Sequence, residues 1–422
     1  MNIFWFRRDL RLEDNIALYN ATIQKEAVIP IFIFDSEIIS SLQKDDSRIS
    51  FIFKTLFQID VELKKQNSSL LIKVGKPIEV WKELIQKYTI QKVFFNKDYE
   101  PYAIKRDKEV EELLRSNNII PYLFKDQVIF EEFEIVKDNG LPYTVFTPFK
   151  NKWLLNLKDV SFSENNPLPN FYKFKSTFPT IESIGFVKSL INVKPYNLSH
   201  IEKYDSIRNF PFIDQTSYIS PYLRFGLISV RKMVSLAIKT NATYLNELIW
   251  REFFMQILFH FPKVITENFK SKYNNIEWRN NENEFNKWRK GETGYPIVDA
   301  GMRQLNKTGY MHNRVRMITA GFLCKHLLID WRWGEAYFAE KLLDYDLSAN
   351  NGNWQWASGT GCDSAPYFRI FNPSEQIKKF DKELKYINKW VVDYNELTYP
   401  QPIVEHKFAR ERALNTYKKG LN

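Results

Sequence analysis

Short runs of β-branched and aromatic residues alternate with helical patterns over the first 130 residues of the chain. The runs are IFWF, AVIPIFIFD, SLLIKVG, KVFFN and IIPYLF, and apolar runs of this length are typical of parallel strands buried on both faces. Between two of them, Ile52, Leu56, Ile59 and Leu63 recur at helical spacing and predict a helix that buries one face. This alternation predicts a doubly wound α/β domain with a parallel sheet over residues 1–130.

The pattern changes twice after this first region. Over residues 131–198, turn residues and scattered Pro, Ser and Asn interrupt both periodicities, which predicts a long interdomain connector. Over residues 199–422, strand patterns give way to long amphipathic segments such as YLNELIWREFFMQILFHF and NRVRMITAGFLCKHLLIDW, which predict an all-α domain. Residues 347–373, LSANNGNWQWASGTGCDSAPYFRIFNP, have little charge and many Asn and Gly residues, and this composition predicts a loop.

Composition adds a hint about the partner and the compartment. The 422 residues include 16% aromatic residues and 60 Lys and Arg against 50 Asp and Glu, an excess of positive charge that favours a polyanionic partner. Two cysteines exclude a disulfide framework and favour a reducing compartment. Charges at Arg7, Arg8 and Asp9 interrupt any signal-peptide core, and no apolar run of about 18 residues follows. We therefore expect a cytoplasmic protein that does not enter a membrane.

The motifs of common hydrolases are absent from the sequence. The GKP at Gly75 lacks the glycine spacing of a phosphate-binding loop, and Gly359 and Gly361 do not follow a predicted strand. None of the five histidines has the spacing of a zinc site, and no serine lies in a nucleophile elbow. The sequence thus argues against nucleotide hydrolysis and against a metal site, and it favours an unusual cofactor.

One predicted helix carries a face that is half polar. Glu247, Trp250, Arg251 and Phe254 fall at i, i+3, i+4 and i+7 in LNELIWREFF. This face has two interpretations. It is either a Glu–Arg pair beside a partly buried tryptophan, or a pocket wall that offers a carboxylate to a base edge and an indole to a base face.

A second segment, GYMHNRVRMITAGFL, places Asn313 beside two arginines. Arg314 and Arg316 lie about 200° apart around a helix, so we expect them to contact different partners. An interior arginine needs a carboxylate, and Asp344 and Asp346 in LLDYDLSANN could supply one. Solvation of both arginines at the surface is the alternative.

A third segment, DQTSYISPYLRFG, clusters hydroxyl groups before a helical pattern. Thr216, Ser217 and Ser220 suit helix capping, and they equally suit contacts to a phosphate at the N-terminus of the helix. The residues alone leave both interpretations open.

Long, ordered motifs run through the chain: FWFRRDLRLEDN, NELIWREF, GYPIVDAGMRQL, GYMHNRVRM, DLSANNGNWQWASGTG and APYFRIFNP. Through these motifs the chain resembles the photolyase/cryptochrome family along nearly its whole length, and most closely the class I cyclobutane pyrimidine dimer DNA photolyases. The resemblance implies an all-α domain that holds a U-shaped FAD, fully reduced in the active form. It also implies a carbon–carbon lyase that repairs pyrimidine dimers in DNA by light-driven electron transfer from FAD to a flipped-out dimer.

The resemblance assigns cofactor contacts to particular residues. Asn350 faces flavin N5, where a neutral amide can accept a hydrogen bond from the reduced ring, and Arg316 pairs with Asp344 beside the flavin. Tyr204 and the Thr216–Ser220 run hold the phosphates and the ribityl chain. The implied FAD-binding residues are Tyr204, Thr216, Ser217, Tyr218, Ile219, Ser220, Arg316, Asp344, Tyr345, Asp346 and Asn350.

The resemblance also assigns the electron-transfer chain and the lesion site. Trp278, Trp331 and Trp354 would carry an electron from the surface to an oxidised flavin, while Trp356 and Trp250 would form two aromatic walls around the dimer. Glu247 and Asn313 would bond its base edges, and three arginines would grip the flanking phosphates. The implied DNA-binding residues are Arg208, Glu247, Trp250, Arg251, Phe254, Asn313, Arg314, Met317, Trp356, Arg369 and Gln376.

An antenna chromophore and two other activities of the family stay open. Ala103 stands where folate-binding members carry a glutamate, which places a folate antenna in doubt. The remaining possibilities for the antenna site are a deazaflavin, a second flavin, another pterin or no chromophore. A blue-light photoreceptor is disfavoured because Trp250, Trp356 and Met317 are all present and no long extension follows Asn422. A six-four photolyase would use paired histidines where this chain has His312 followed by asparagine. We expect a monomeric enzyme that acts on damaged DNA, and not a nucleic-acid-binding module without catalysis.

Overall fold

The computed structural model describes residues 1–160, 162 and 164–421 of the chain. The chain folds into two compact units that are interleaved along the sequence. The first unit comprises Met1–Glu134, Leu155–Tyr196 and Ile219–Lys239; the second comprises Ile135–Leu154, Asn197–Tyr218 and Thr240–Asn422. Both units therefore take part of the predicted connector, residues 131–198.

A parallel sheet forms the centre of the first unit. Its strands are β1 (Asn2–Phe6), β2 (Val28–Asp35), β3 (Leu71–Gly75), β4 (Lys92–Asn96) and β5 (Ile120–Phe124). They lie in the order β3-β2-β1-β4-β5, and every neighbouring pair is parallel. The five apolar runs of the sequence are thus the five strands, and the order reverses beside β1, as in doubly wound sheets.

Side chains of the central strand alternate between two hydrophobic cores. Phe4 and Phe6 of β1 belong to one core, whereas Ile3 and Trp5 belong to the other. Successive side chains of a strand point to opposite faces of the sheet, so a strand that is covered on both sides must be apolar at every position. This explains why β1 reads as an unbroken apolar run.

The helices begin where the sequence provides caps. Asn15, Asp46, Asn241, Asp330 and Asp346 each accept a hydrogen bond from a backbone N–H in the first turn of the helix that follows. In chain order the helices are α1 (Ile16–Thr22), α2 (Ser36–Ile39), α3 (Ser47–Lys64), α4 (Pro77–Lys87), α5 (Pro101–Ser116), α6 (Phe146–Asn156), α7 (Tyr204–Ile207), α8 (Ser220–Arg224), α9 (Val230–Thr240), α10 (Ala242–His260), α11 (Glu282–Lys290), α12 (Pro296–Thr308), α13 (Asn313–Gly321), α14 (Trp331–Lys341), α15 (Leu347–Ser358), α16 (Pro373–Phe380), α17 (Lys385–Trp390) and α18 (His406–Leu421).

Two long sequence segments of the second unit have different internal structures. The segment that begins YLNELIW is one continuous helix, α10, of 19 residues. The segment that begins NRVRMIT is α13 followed directly by a π-helical turn, Phe322–His326. The two segments share an apolar pattern, so the pattern alone does not reveal the π turn.

The prediction of a loop over residues 347–373 is wrong for its first half. Residues Leu347–Ser358 form α15, which begins after the Asp346 cap and ends at Gly359 with φ +90°. Asn351 and Gln355 each donate a side-chain hydrogen bond of 2.9 Å to the carbonyl of Val264. Tertiary bonds of this kind outweigh the low helix propensity of asparagine and glycine, because propensity differs by less than about 1 kcal/mol per residue.

Candidate functional site

Glu335 of α14 fixes the orientation of Asn350, which lies on α15. The Asn350 Nδ2 group donates to the backbone carbonyl and to Oε1 of Glu335, both at 3.0 Å. Burial raises the pKa of Glu335, although the bond from Asn350 lowers it in part. Because Nδ2 is engaged twice, the amide presents Oδ1 as its acceptor. An acceptor at this position fits the reduced flavin N5–H donor that the sequence resemblance places here.

Arg314 and Arg316 contact different partners, as their helical spacing predicts. Arg316 lies 2.9 Å from a carboxylate oxygen of Asp344 and donates to the carbonyl of Met311 at 2.8 Å. Arg314 donates to Oδ1 of Asn209 at 2.6 Å and lies 4.4 Å from the ring centroid of Phe380. The first arginine is neutralised by a carboxylate and the second is held by a neutral amide.

The three tryptophans of the predicted electron-transfer chain contact one hydrophobic core. Trp331 and Trp354 are members of this core with 0% and 2% exposure, and Trp278 is half-buried and packs against it. The Trp331 indole N–H donates to Asn268 at 2.8 Å. Gly334 lies so close to the Trp354 ring that a Cβ at this position would come within 2.1 Å of it. The sequence therefore gives Trp354 a tightly fixed position.

Three of the predicted lesion residues line one pocket. The lining of this pocket includes Met317, Trp356 and Arg369. They come from α13, from α15 and from the loop that follows α15. The remaining lining residues are Gly321, Lys325, Ala357, Ala365 and Phe371. Two cations, Lys325 and Arg369, and the aromatic rings of Trp356 and Phe371 are a suitable lining for a flat, polar base beside a phosphate.

Trp250, the predicted second aromatic wall, is stacked on a residue that the sequence did not indicate. Its ring lies 3.7 Å from the ring centroid of Phe146 at an interplanar angle of 6°. The Phe146 backbone N–H donates to a carboxylate oxygen of Asp363 at 3.0 Å. The ring of Phe254 lies 5.4 Å from that of Trp250 on the same helix. Phe146 therefore covers one face of Trp250.

Glu247 pairs across helices rather than along its own helix. Its Oε1 lies 2.7 Å from Arg208 Nη1. This oxygen therefore pairs with Arg208, whereas the Glu–Arg interpretation of the helix face gave Arg251 as the partner of Glu247. The Arg208 guanidinium lies 5.1 Å from the ring centroid of Tyr204. Burial, and after it the charge of Glu247, raises the pKa of Tyr204, which stays a neutral hydroxyl.

The hydroxyl-rich segment before α8 does not cap that helix. Ile219 is at the N-cap position, and no side chain accepts a bond there. The Ser217 hydroxyl lies 3.2 Å from the hydroxyl of Tyr244, and the Tyr218 hydroxyl donates to Asp214. Tyr218 has φ +52°, a left-handed conformation that is strained in a residue with a side chain. Of the two interpretations, capping is excluded and phosphate contact remains.

The remaining predicted residues lie in varied surroundings. Asp346 accepts from the Ser348 hydroxyl at 2.5 Å and caps α15, and Tyr345 packs against the core of the second unit. Asn313 and Thr216 differ in exposure, since Asn313 is exposed at the start of α13 and Thr216 is half-buried. Gln376 is half-buried on α16.

Sequence reasoning missed four residues in the surroundings of the site: Asn209, Glu335, Phe146 and Lys325. Three of them contact a predicted residue: Asn209 bonds to Arg314, Glu335 to Asn350, and Phe146 stacks on Trp250. Lys325 instead lies in the pocket lining with Met317, Trp356 and Arg369. Their own segments show no unusual spacing or composition. A charged lysine within the apolar stretch GFLCKHLL was the one available signal.

A metal-binding cluster and a membrane-spanning helix are both absent from the described part of the chain. Within it, no cluster of three or more His, Cys, Asp or Glu is placed to hold a metal ion. None of its helices has both the length and the apolar character needed to cross a bilayer.

Comparison with known proteins places these features in a family. Residues 2–170 match a family model described as DNA photolyase, and residues 244–398 match one described as FAD binding domain of DNA photolyase. The deoxyribodipyrimidine photo-lyase of Escherichia coli is 35% identical, with 99% of this chain and 98% of the relative covered. That of Synechococcus sp. is 34% identical, with 99% and 96% covered.

Solved structures agree with the sequence relatives. An archaeal photolyase from Sulfolobus tokodaii, which contains two FAD molecules, has a TM-score of 0.88 and 34% identity, with 99% of this chain and 100% of that chain covered. A class III photolyase from Agrobacterium tumefaciens has a TM-score of 0.87 and 32% identity, with 99% and 97% covered.

Proposed function

Because the chain belongs to the DNA photolyase family, we propose that it is a deoxyribodipyrimidine photo-lyase that splits cyclobutane pyrimidine dimers in DNA under light. The observation that carries this proposal is the pocket lined by Met317, Trp356 and Arg369. Its wall includes α15, the helix that also carries Asn350 and Trp354. One helix therefore presents groups for a cofactor and groups for a lesion.

The side chains around Asn350 and Arg316 fit a reduced FAD. Bound FAD would supply the photoexcited electron that opens the cyclobutane ring. Asn350 would hold a hydrogen bond through Oδ1, and Arg316 would supply positive charge beside an anionic ring while Asp344 keeps the guanidinium in place. The Thr216–Ser220 segment and Tyr204 would contact the phosphates and the ribityl chain.

The lesion pocket would bind a base that has left the helix. Trp356 would stack on the dimer, and Met317 would fill the space beside it, while Arg369 would contact a flanking phosphate. Arg208, Arg314 and Gln376 would extend the phosphate contacts, and Glu247 and Asn313 would bond base edges. Phosphate contacts fix position without reading sequence, and a dimer is more easily unstacked than intact bases. Binding should therefore depend on the lesion and on salt rather than on the surrounding sequence.

The decisive experiment is repair of an oligonucleotide that contains one thymine dimer. The purified protein with its bound flavin, chemically reduced, should restore the two thymines under blue light and leave the dimer intact in the dark. A six-four photoproduct in the same sequence is the matched substrate control and should persist. Repair of the six-four product alone, or of neither lesion, would refute the proposal.

The tryptophan chain can be tested separately from repair. A Trp354→Phe variant should lose photoreduction of oxidised FAD, because the electron route would be interrupted, yet a chemically reduced sample should still repair the dimer. Trp288→Phe is a matched control, since Trp288 is fully buried in the same core and lies 6.2 Å from Trp354. Undiminished photoreduction in Trp354→Phe, or an equal loss in the control, would refute the relay.

A second chromophore and the assembly state complete the proposal. Ala103 is buried in α5 and supplies no carboxylate, which argues against a folate bound in the manner of the folate-binding members. Mass spectrometry of the released chromophores distinguishes a second flavin, a deazaflavin and a pterin from FAD alone. The proposal includes a cytoplasmic monomer on DNA, and size-exclusion chromatography with light scattering measures its mass.

A further inference from the structure

Lys325 is a buried lysine in the π-helical turn that follows α13. Its exposure is 2%, and π turns within helices occur frequently at functional sites. The Nζ group donates to the carbonyl of Tyr367 at 2.9 Å and lies 4.3 Å from the ring centroid of Tyr417. A carbonyl and an aromatic face both stabilise an ammonium group, but neither neutralises its charge.

The charge of Lys325 has no carboxylate partner. Among residues 1–160, 162 and 164–421, no carboxylate oxygen lies within 4.0 Å of Nζ. Burial lowers the pKa of Lys325 to about 7. The charged and titratable groups of the surrounding elements include Cys324 and His326 in its own turn, Arg314 and Arg316 of α13, and Asp330 and Arg332 at the start of α14. They also include His406, Arg412 and Tyr417 of α18 and Tyr367 and Arg369 of the loop, whereas α15 carries no acidic or basic residue.

Two of these neighbours, Cys324 and His326, have pKa values far from that of Lys325. Burial raises the pKa of Cys324 well above its usual range, and it lowers the pKa of His326 to about 3. His406 bonds to His326 at 2.9 Å, and Arg412 donates to the His326 carbonyl at 2.6 Å. Asp330 is paired with Arg332 at 2.9 Å.

Lys325 contacts residues that support both walls of the lesion pocket. Its partner Tyr367 begins the segment Tyr367–Phe371, which carries Arg369 and Phe371 into the pocket lining. The Tyr367 ring stacks on Tyr417 at 5.7 Å and 4°. The Tyr417 hydroxyl donates at 2.7 Å to the carbonyl of Ser358, two residues after Trp356. One ammonium group is therefore in contact with the supports of both the arginine wall and the tryptophan wall.

We propose that Lys325 is a positioning residue whose ammonium group holds the Tyr367–Phe371 segment and the end of α15 around the damaged bases and adds positive charge to the pocket. This inference rests on the proposed function, because it concerns the pocket that would bind the lesion. An unpaired buried charge opposes folding, and such groups are often retained because a ligand uses them. Lys325 should therefore cost stability and contribute lesion affinity.

The test is dark binding of the full chain, with FAD bound and oxidised, to a thymine-dimer oligonucleotide and to its undamaged counterpart between pH 6 and pH 9. The ratio of the two affinities should fall about tenfold for the wild type as Lys325 loses its proton, which corresponds to one charge-assisted contact. Lys325→Met should show the low ratio at every pH. Lys325→Arg, which keeps its charge, should show a ratio independent of pH.

Controls separate a positioning role from a structural one. Lys419→Met removes an exposed lysine of α18 that pairs with Glu277, and it should follow the wild type at every pH. The unfolding midpoint of Lys325→Met at pH 7 should equal or exceed that of the wild type. Their difference should shrink as pH rises from about 7 to about 10.4, because a lowered lysine pKa destabilises the fold most at low pH.

Three outcomes would overturn the inference. The first is a ratio of damaged to undamaged affinity that does not depend on pH in the wild type, and the second is a Lys325→Met ratio equal to that of the wild type at pH 6. The third is a Lys325→Met protein in which both the unfolding midpoint and this affinity ratio fall. A repair assay with the wild type separates this failure from failure of the proposed function. If the wild type repairs the dimer under light and the ratios do not follow this pattern, only the role of Lys325 is wrong. If it repairs nothing, the proposed function is wrong.

Discussion

Buried cations have different kinds of partner in the two units of this protein. In the first unit, Asp126 lies 2.7 Å from Arg11 and 2.9 Å from Arg231, and Arg231 lies 3.1 Å from Asp14. Burial would raise the pKa of Asp126, but the charges of Arg11 and Arg231 outweigh it and hold this pKa below its ordinary value. Every charge in this cluster has a partner of the opposite sign.

Two cations of the second unit, Arg314 and Lys325, have no carboxylate partner among the described residues. Arg314 is bonded to the amide of Asn209, and burial, followed by the nearby charge of Arg208, lowers its pKa. Lys325 is bonded to a carbonyl, and burial lowers its pKa to about 7. The pKa values of Arg314 and Lys325 are thus lowered. The pKa of Arg231 is raised, because its carboxylate partners outweigh its burial.

The difference separates charges that serve the fold from charges that serve a ligand. Removal of one member of a compensated cluster destabilises the fold, because the remaining charges are then buried and unpaired. An uncompensated cation gains its partner when an anion binds, and DNA is the anion that the family binds. Substitutions in the two clusters should therefore affect different measurements.

The largest effect is expected from Asp126→Asn. Removal of this charge leaves Arg11 and Arg231 partly uncompensated, and the free energy of unfolding of the first unit should fall by about 3–5 kcal/mol, measured by urea denaturation at pH 7. Since the folded pKa of Asp126 is lowered, the wild type holds this contribution above about pH 4 and loses it as the pH falls further. Lys65→Ala, which removes an exposed pair with Glu62, is the control and should leave the midpoint unchanged. A small effect of Asp126→Asn would remove the basis of the comparison.

Arg316→Leu should give the next largest effect, and it tests a paired cation in the second unit. The change leaves Asp344 without its guanidinium and removes positive charge from the flavin site, so FAD affinity should fall about 10- to 100-fold. Flavin content after dialysis and the potential for full reduction are the measurements. Arg303→Leu, which breaks an ion pair with Asp393 outside this site, is the matched control. Unchanged flavin content and reducibility in Arg316→Leu would contradict the assignment.

The smallest effect is expected from Arg314→Gln. Because no carboxylate compensates Arg314, its loss should leave stability nearly unchanged, and the salt dependence of DNA binding should weaken by about one phosphate contact, a slope change of about 0.9. Binding isotherms of undamaged duplex at several salt concentrations measure this slope. A large loss of stability with an unaltered slope would place Arg314 with the structural cations instead.

Much of the fold could be predicted from local patterns, but the site could be predicted only in part. The five strands and α10 follow from runs and periods that lie within one segment. The Arg316–Asp344 pair, which the family resemblance implied, is present, whereas the residues alone left Asp346 and solvation open as alternatives. Helix α15 was missed, since its stability comes from bonds to Val264 rather than from its own composition.

The partners of the site residues were beyond local reasoning. Phe146 stacks on Trp250 across about a hundred positions of sequence, and Lys325 bonds to Tyr367. The Phe146 segment has the composition of an ordinary helix start, and the lysine within GFLCKHLL does not indicate which residue it contacts. Contacts of this kind depend on how helices pack, and packing is a property of the whole chain.

The sequence by itself determined the α/β and helical classes, the family and the identity of the chemical groups, because periodicity and ordered motifs act over a few residues. Tertiary structure alone decided which charges are paired, which face of Trp250 is covered and that residues 347–358 are helical. The physical reason is that hydrogen bonding, burial and Coulomb energy depend on distances in space, and residues far apart in the chain set those distances only once it has folded.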